Sequence, residues 1–302
     1  MILLLGSSGY VGGAFARYFD RMSVRYAGIS RRDVDYTRRD NLIQLIRSCG
    51  ATFLINAAGY TGKPNVDACE KFKADCLLGN AVLPGIVREA CECCDLSWGH
   101  VSSGCIYTGT RVDGTGFTEQ DTPNFCFRSN NCSFYSGCKA LGEECLDGAD
   151  NIYVWRLRIP FNHESAPRNY LFKLQSYEYL LDATNSISHL DEFVRAAWEC
   201  WNKRVPAGIY NVTNGGAITT REIVSMLEQY LTPGREYRFF EDEQDFMRKA
   251  AVTPRSNCVL DNSKILSTGI KLLPVREAIE MSLKNWCGSK PALKSSISIS
   301  GG

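Results

Sequence analysis

The stretch Ile2-Leu3-Leu4-Leu5-Gly6-Ser7-Ser8-Gly9-Tyr10-Val11-Gly12 decides the fold class. An apolar strand-like run passes directly into glycines spaced G-x-x-G-x-x-G, and an amphipathic helical stretch, Tyr10–Arg21, follows. Without Cβ atoms such a turn lets the backbone approach a diphosphate, whose charge then rests on the N–H groups at the start of the next helix. A glycine-rich heptad gains this meaning from its place between a strand and a helix. Gly6, Ser8, Gly9, Tyr10, Val11 and Gly12 are therefore the candidate cradle for a dinucleotide.

Outward from this turn, short aliphatic runs alternate with amphipathic segments, the pattern of βαβ units feeding a parallel sheet. Strands are predicted at 2–5, 25–29, 52–56, 96–102 and 152–157, and helices at 10–21, 38–47, 75–94 and 135–147. The reading is α/β: a Rossmann-type doubly wound parallel sheet with a smaller C-terminal α/β substrate-binding region. Residues 1–160 form the dinucleotide-binding domain, with 179–204 returning to it, and 161–178 plus 205–287 form the outer region. There, helices are predicted at 171–177, 190–202, 219–230 and 275–286, and a strand at 208–212. Residues 108–132, rich in Gly, Asn, Thr and Pro, form a long irregular excursion of the kind that carries function. Residues 288–302, rich in Ser, Lys and Gly, read as a disordered tail.

Of the 302 residues, 44% are hydrophobic and 22% charged, an ordinary balance for a chain that buries a core. With 34 Lys plus Arg against 33 Asp plus Glu there is no global field to draw nucleic acid or an anionic membrane. The N-terminus has no basic region ahead of its apolar run, and nothing approaches the ~18 apolar residues of a membrane span. A cytoplasmic protein is expected, and the 14 cysteines read as free thiols. Cys91 and Cys94 have C-x-x-C spacing, but no second pair accompanies them, so no metal site is assigned.

After the second strand, where an NAD-selective site holds an acidic residue, come Ser30-Arg31-Arg32. Two guanidinium groups suit a 2′-phosphate, which favours NADPH, while Asp33 and Asp35 leave NADH open. Asn56-Ala57-Ala58-Gly59-Tyr60 ends the third strand with small residues where the cofactor must pass, and Asn80 in the next helix is placed to brace it. Ser102 and Ser103 close the fourth strand at the sheet's carboxyl edge. Tyr135-Ser136-Gly137-Cys138-Lys139 is a Y-x-x-x-K segment whose two functional side chains share a helix face. A phenol with a pKa near ~10 needs a neighbouring cation to act as an acid–base group at neutral pH, and Lys139 can supply that charge while holding ribose hydroxyls.

Together these elements resemble the extended short-chain dehydrogenase/reductase superfamily, which implies Ser103, Tyr135 and Lys139 as a catalytic trio. Residues 56–70, 104–107, 121–125, 133–136, 156–160, 167–169 and 254–257 are similar to the nucleotide-rhamnose synthase/epimerase-reductase family, itself related to dTDP-4-dehydrorhamnose reductase. That resemblance implies conversion of UDP- or dTDP-4-keto-6-deoxy-glucose to the β-L-rhamnose nucleotide by 3,5-epimerisation and 4-reduction. Epimerisation removes protons α to the C4 ketone and returns them to the opposite face, so two acid/base groups must flank the sugar. The resemblance implies Cys105 and Lys173 for this work. In related fucose-nucleotide synthases a histidine partners the cysteine, which keeps His163 in view. Ser103, Gly104, Asn124, Arg168, Asn169 and Arg255 are the candidate substrate contacts, the arginines because guanidinium suits diphosphate.

A glycine inside the catalytic helix, Gly137, departs from helix preference. The residues present include no dehydratase domain of the kind that precedes this module in plant bifunctional proteins, so an upstream nucleotide-glucose 4,6-dehydratase is the expected source of substrate. Dimers are the commonest assembly and are expected here on that ground. Two other readings compete: a 4-reductase without epimerase activity, and a non-catalytic dinucleotide-binding subunit resembling the regulatory partner of methionine adenosyltransferase.

Overall fold

Strands β1 (Ile2–Leu5) and β3 (Phe53–Asn56) are buried at every position in the computed structural model, which describes residues 1–63 and 65–288. Runs buried on both sides belong at the centre of a parallel sheet. With β2 (Tyr26–Ile29), β4 (Trp98–Ser103), β5 (Ile152–Leu157) and β6 (Gly208–Asn211) they form a six-stranded, all-parallel sheet in the order β6-β5-β4-β3-β1-β2. The longer helices, ten residues or more, are in chain order α1 (Tyr10–Arg21), α2 (Arg39–Cys49), α3 (Leu83–Cys93), α4 (Phe134–Glu144), α5 (Leu190–Asn202), α6 (Thr220–Tyr230) and α7 (Val275–Lys284). Successive strand residues point to opposite faces. Ile2 and Leu4 accordingly join Phe15 and Phe19 of α1 and Phe193 and Ala197 of α5 in one core. Leu3 and Leu5 join Leu42 and Ile46 of α2 and Val87 and Ala90 of α3 in the other. Each such side chain removed from water contributes about 1.5–3 kcal/mol before entropy is counted.

A third core joins Leu171 and Leu174 to Ile223 and Leu227 of α6 and Ala278, Ile279 and Leu283 of α7. Thr219 opens α6 with a reciprocal capping box to Glu222. The sequence boundary at residue 205 assigned too much to this outer region. Gly208–Asn211 pairs with β5 as the sheet's edge strand, and Val205, Tyr210, Val212, Ile265 and Ile270 pack into the first core. A four-residue strand can follow its nearest neighbour in sequence or a distant sheet edge, and only the tertiary structure decides. The excursion at 108–132 is pinned rather than loose: Gly109 bridges Cys258, Phe117 bridges Leu260, and Asn211 Nδ2 donates to the carbonyls of Phe117 and Asp261. Apart from Gly288, the expected tail lies outside the described residues.

The predicted helix 75–94 forms, but not as one regular element. Lys73–Leu77 is α-helical, Leu78–Val82 is a π turn, and α3 follows. Pro84 has no N–H to offer the Asn80 carbonyl, so the ordinary i→i−4 register fails there.

Candidate active site

The strand order reverses between β1 and β3, and ligands of open α/β sheets bind in the crevice beyond such a switch point. Gly6 sits there at φ +74°, and a Cβ on it would lie 2.7 Å from Cα of Ala58. A Cβ on Gly12 would lie 2.1 Å from the Gly6 carbonyl oxygen, so α1 can start this close to the turn only with glycine at both places. Gly9 is the N-cap of α1, no side chain caps it, and the first turn holds no acidic residue. The helix therefore presents its opening N–H groups and positive dipole end uncompensated, a start that fits an anion. Tyr10 and Val11 pack against the first core, so the cradle uses their backbone. Alongside, Ser7, Ser8, Gly28, Ser30 and Asp33 line a groove. Asp33 accepts from Ser30 N–H at 2.8 Å and Ser30 Oγ at 2.7 Å, bonds that hold its carboxyl below the usual range. Arg31 and Arg32 are exposed beside it.

Asn56 Oδ1 accepts from Ala58 N–H at 3.1 Å, and Asn56 Nδ2 donates to His100 Nδ1 at 3.2 Å. Burial pushes His100 well below its ordinary value, so it is the neutral ring that accepts. Asn80, fully buried in the π turn, accepts from Tyr60 N–H at 3.2 Å and donates to the Tyr60 carbonyl at 2.6 Å. A Cβ on Gly59 would lie 3.1 Å from Asn80 Oδ1 and 3.7 Å from Lys139 Nζ, which puts this loop directly over the lysine. Asn80 thus braces the Gly59–Tyr60 backbone; its amide is not left free for a ligand.

Ser103, the last residue of β4, accepts from Cys105 N–H at 3.2 Å and caps the short 3₁₀ turn Gly104–Ile106. Tyr135 packs on the Cys105 cluster, near enough to Ser103 for that hydroxyl to bear on its phenol. Burial pushes the Tyr135 phenol well above its ordinary value, the Cys105, Cys69 and Cys76 thiols push the same way, and the Ser103 hydrogen bond pulls back. The sequence reading expected Lys139 to draw the phenol down; burial is the leading influence on Tyr135 instead and acts the other way, favouring the protonated phenol. Lys139 is buried, donates to the Val101 carbonyl at 3.3 Å, and is lowered by desolvation. Cys105 is buried and pushed up, against opposing pulls from the Ser103 and Ser136 hydroxyls and from Arg158 and Lys139. Gly137 is explained by Phe127, whose ring atoms would stand 2.3–2.5 Å from a Cβ there.

Several expected ligand contacts are already engaged. Ser102 turns its hydroxyl to Glu143 at 2.5 Å, on the strand face opposite Ser103. Asn124 exchanges hydrogen bonds with the Thr108 backbone, N–H to Oδ1 and Nδ2 to carbonyl, both at 2.9 Å. Asn169 is fully buried, caps the helix Tyr170–Leu174 through Leu171 N–H, and donates to the carbonyls of Asn162 and Glu164. These three position backbone. Arg168 donates to the Gly62 carbonyl at 2.6 Å, and Arg255 forms a bidentate pair with Asp67 at 2.7 and 2.8 Å. Lys173 lies with both arginines, lowered by burial and then by their charges. His163 groups instead with His189 and Asp191, its Nδ1 3.8 Å from Asp191 Oδ2. A Cβ on Gly104 would lie 2.5 Å from Leu260 Cδ1.

Sequence reasoning missed the buried Glu143–Arg156 ion pair, 2.7 Å, that holds Ser102 behind the site. It also missed Arg158, buried with Asn185 Oδ1 and the Ser256 carbonyl as partners and no carboxylate among the described residues. The available signal was their spacing, Arg156 within β5 and Arg158 just past its end.

A doubly wound sheet with an uncapped glycine cradle at its switch point, and a serine, tyrosine and lysine gathered past β4, is the build of a dinucleotide-binding reductase. The chain belongs to the RmlD substrate-binding domain family, whose model matches residues 1–287. It is 33% identical over 282 residues to a bifunctional dTDP-4-dehydrorhamnose 3,5-epimerase/dTDP-4-dehydrorhamnose reductase of Arabidopsis thaliana, covering 92% of this chain and 90% of that protein. It is 34% identical over 282 residues, 92% of the chain, to a trifunctional UDP-glucose 4,6-dehydratase/UDP-4-keto-6-deoxy-D-glucose 3,5-epimerase/UDP-4-keto-L-rhamnose-reductase of the same plant, but spans only 41% of that protein's length. The crystal structure of the L780 UDP-rhamnose synthase from Acanthamoeba polyphaga mimivirus shares the fold, with a TM-score of 0.87 at 21% identity over 94% of this chain and 98% of that one.

Proposed function

We propose that the protein is a bifunctional 3,5-epimerase/4-reductase converting UDP- or dTDP-4-keto-6-deoxy-D-glucose to the corresponding β-L-rhamnose nucleotide. The observation that carries this reading is Cys105: a buried thiol beside Ser103 and Tyr135, which reduction alone does not need. NADPH, when bound, supplies the hydride to C4 of the sugar. The cradle Gly6–Gly12 holds its diphosphate, Arg31 and Arg32 favour its 2′-phosphate, and Lys139 holds the nicotinamide ribose. NADH is the alternative that the Asp33 carboxylate keeps open.

Ser103 and Tyr135 donate to the C4 oxygen, stabilising first the enolate formed during epimerisation and then the alkoxide formed on reduction. Desolvation lowers Lys173, which favours the neutral amine that takes a proton from carbon. Desolvation raises Cys105, which keeps a thiol able to return one. Tyr135, held protonated, gives the last proton to the C4 alkoxide. A nucleotide-glucose 4,6-dehydratase must supply the substrate, because the 4-keto group precedes both steps. No helix among the described residues is long and apolar enough to cross a membrane, which accords with a cytoplasmic enzyme, and a homodimer is the expected assembly.

The test is incubation of the protein with either 4-keto-6-deoxy-glucose nucleotide in deuterated water, followed by NMR. Deuterium entering C3 and C5 before NADPH is added, then a rhamnose nucleotide afterwards, is the expected result. NADPH consumption only with an already epimerised sugar would make the protein a reductase alone. Binding without any turnover would make it a regulatory subunit.

A further inference from the structure

Three thiols that this chemistry does not use, Cys69, Cys76 and Cys138, form a fully buried cluster against Tyr60, Phe134 and Tyr135. They come from three separate helical segments, Ala68–Lys71, Lys73–Leu77 and α4. Cys76 packs with both other thiols in this cluster, and Asn80 Nδ2 donates to its Sγ at 3.4 Å. An amide donor on that sulfur, with the Lys139 charge close by, favours a thiolate over a thiol. The adjoining thiols of Cys138 and then Cys69 lower Cys76 from the ordinary thiol value, Asn80 and Lys139 act in the same sense, and both neighbours are pushed up in turn. Elsewhere in this chain burial is the leading influence and acts the other way, raising Cys91 and Cys200.

We propose that these three residues form a peroxide-sensitive modification site, with Cys76 the sulfur that is oxidised and Cys69 or Cys138 the thiol that resolves it. The Cys76 thiolate attacks one peroxide oxygen; the O–O bond breaks, an S–O bond forms, and the departing oxygen leaves as water after taking a proton. The neighbouring sulfur then attacks the sulfenic sulfur, its proton leaves with the hydroxide as a second water, and an S–S bond forms. Two electrons pass from two thiols to the peroxide. Entry is from the cleft, where the partly exposed Tyr60 and Tyr135 cover the cluster. A Cys76–Cys138 link would tie α4 to the helix before the π turn, next to Lys139. Either link removes the sulfur acceptor from Asn80, which braces the loop over that lysine. The effect on turnover rests on the proposed function; the oxidation does not.

The full-length protein, reduced and then exposed to stoichiometric hydrogen peroxide, is quenched, denatured, alkylated and mapped by mass spectrometry. A peptide pair joined through Cys76 to Cys69 or Cys138, lighter by two hydrogens, while the exposed Cys93 and Cys287 stay reduced, is expected. In the Cys69→Ala/Cys138→Ala double variant the disulfide cannot form, and a sulfenic-acid trapping reagent should label Cys76 instead. Oxidation of Cys93 and Cys287 with Cys76 recovered as free thiol in both proteins would overturn the proposal. So would a disulfide from Cys69 or Cys138 that forms without Cys76.

Discussion

Cys105 and Tyr135 belong to one packed cluster, yet removing each has a different consequence. In Cys105→Ala, solvent deuterium no longer enters the sugar at the carbon this thiol serves, while NADPH binding, measured by fluorescence titration, is unchanged because the cradle is untouched. Tyr135→Phe keeps the ring and loses the proton donor, so NADPH oxidation on a 4-keto sugar falls by about 10²–10⁴-fold. The pair Tyr135 and Lys139 was legible because two chemically distinctive side chains stood at helical spacing. Ser102 was not separable from Ser103 in the same way: alternation says they face apart, but which one faces the cleft depends on Glu143, 41 residues from Ser102. Asn124 and Asn169 enter as candidate substrate contacts through the family resemblance of residues 121–125 and 167–169; asparagine also binds backbone, and their partners Thr108 and Asn162 carry no sequence signal.

At the scale of the element, the break between Lys73–Leu77 and α3 matters more than either helix. The π turn turns Asn80 inward to hold Tyr60, and α4 approaches so closely that a Cβ on Gly142 would lie 2.1 Å from the Asn80 carbonyl oxygen. Asn80→Ala strands a backbone N–H and a carbonyl, which costs about 1–3 kcal/mol in urea unfolding and weakens NADPH binding. The helix itself was legible from its periodicity, and the role of Asn80 as a brace was anticipated; the π turn was not, because Pro84 in the first turn of a helix is ordinary. On β4, buried neutral His100 has a folded pKa well below the ordinary 6.5. Its contribution to stability is whole above that unfolded value and is lost progressively as pH falls from there towards the folded pKa. His189, also lowered by burial, acts in the same sense. His100→Gln should therefore show a shallower fall in Tm than the wild type between neutral and mildly acidic pH.

Across the whole molecule, the outer region holds the loop after β3 at two points: Arg168 on the Gly62 carbonyl and Arg255 on Asp67. These arginines were expected on a diphosphate, and the structure gives them protein partners more than a hundred residues away in sequence. A double-mutant cycle on Asp67→Ala and Arg255→Ala should return a coupling of about 1 kcal/mol or more, above most exposed pairs, because the contact is bidentate and half-buried. β1, β5 and α1 were legible at their observed limits and β2, β3 and β4 to within two residues, since one unbroken local pattern specifies each of them. The address of β6 was not, since it depends on which edge remains open.

That open edge has a consequence during synthesis. β5 ends at Leu157, and the strand that covers its free side begins at Gly208. At roughly 5–20 residues per second, a ribosome leaves a buried-type strand with unpaired N–H and C=O groups for about 3–10 seconds before its partner is made. A newborn chain at that stage is a template for pairing with another newborn chain, and crowding on one messenger would bring such neighbours together.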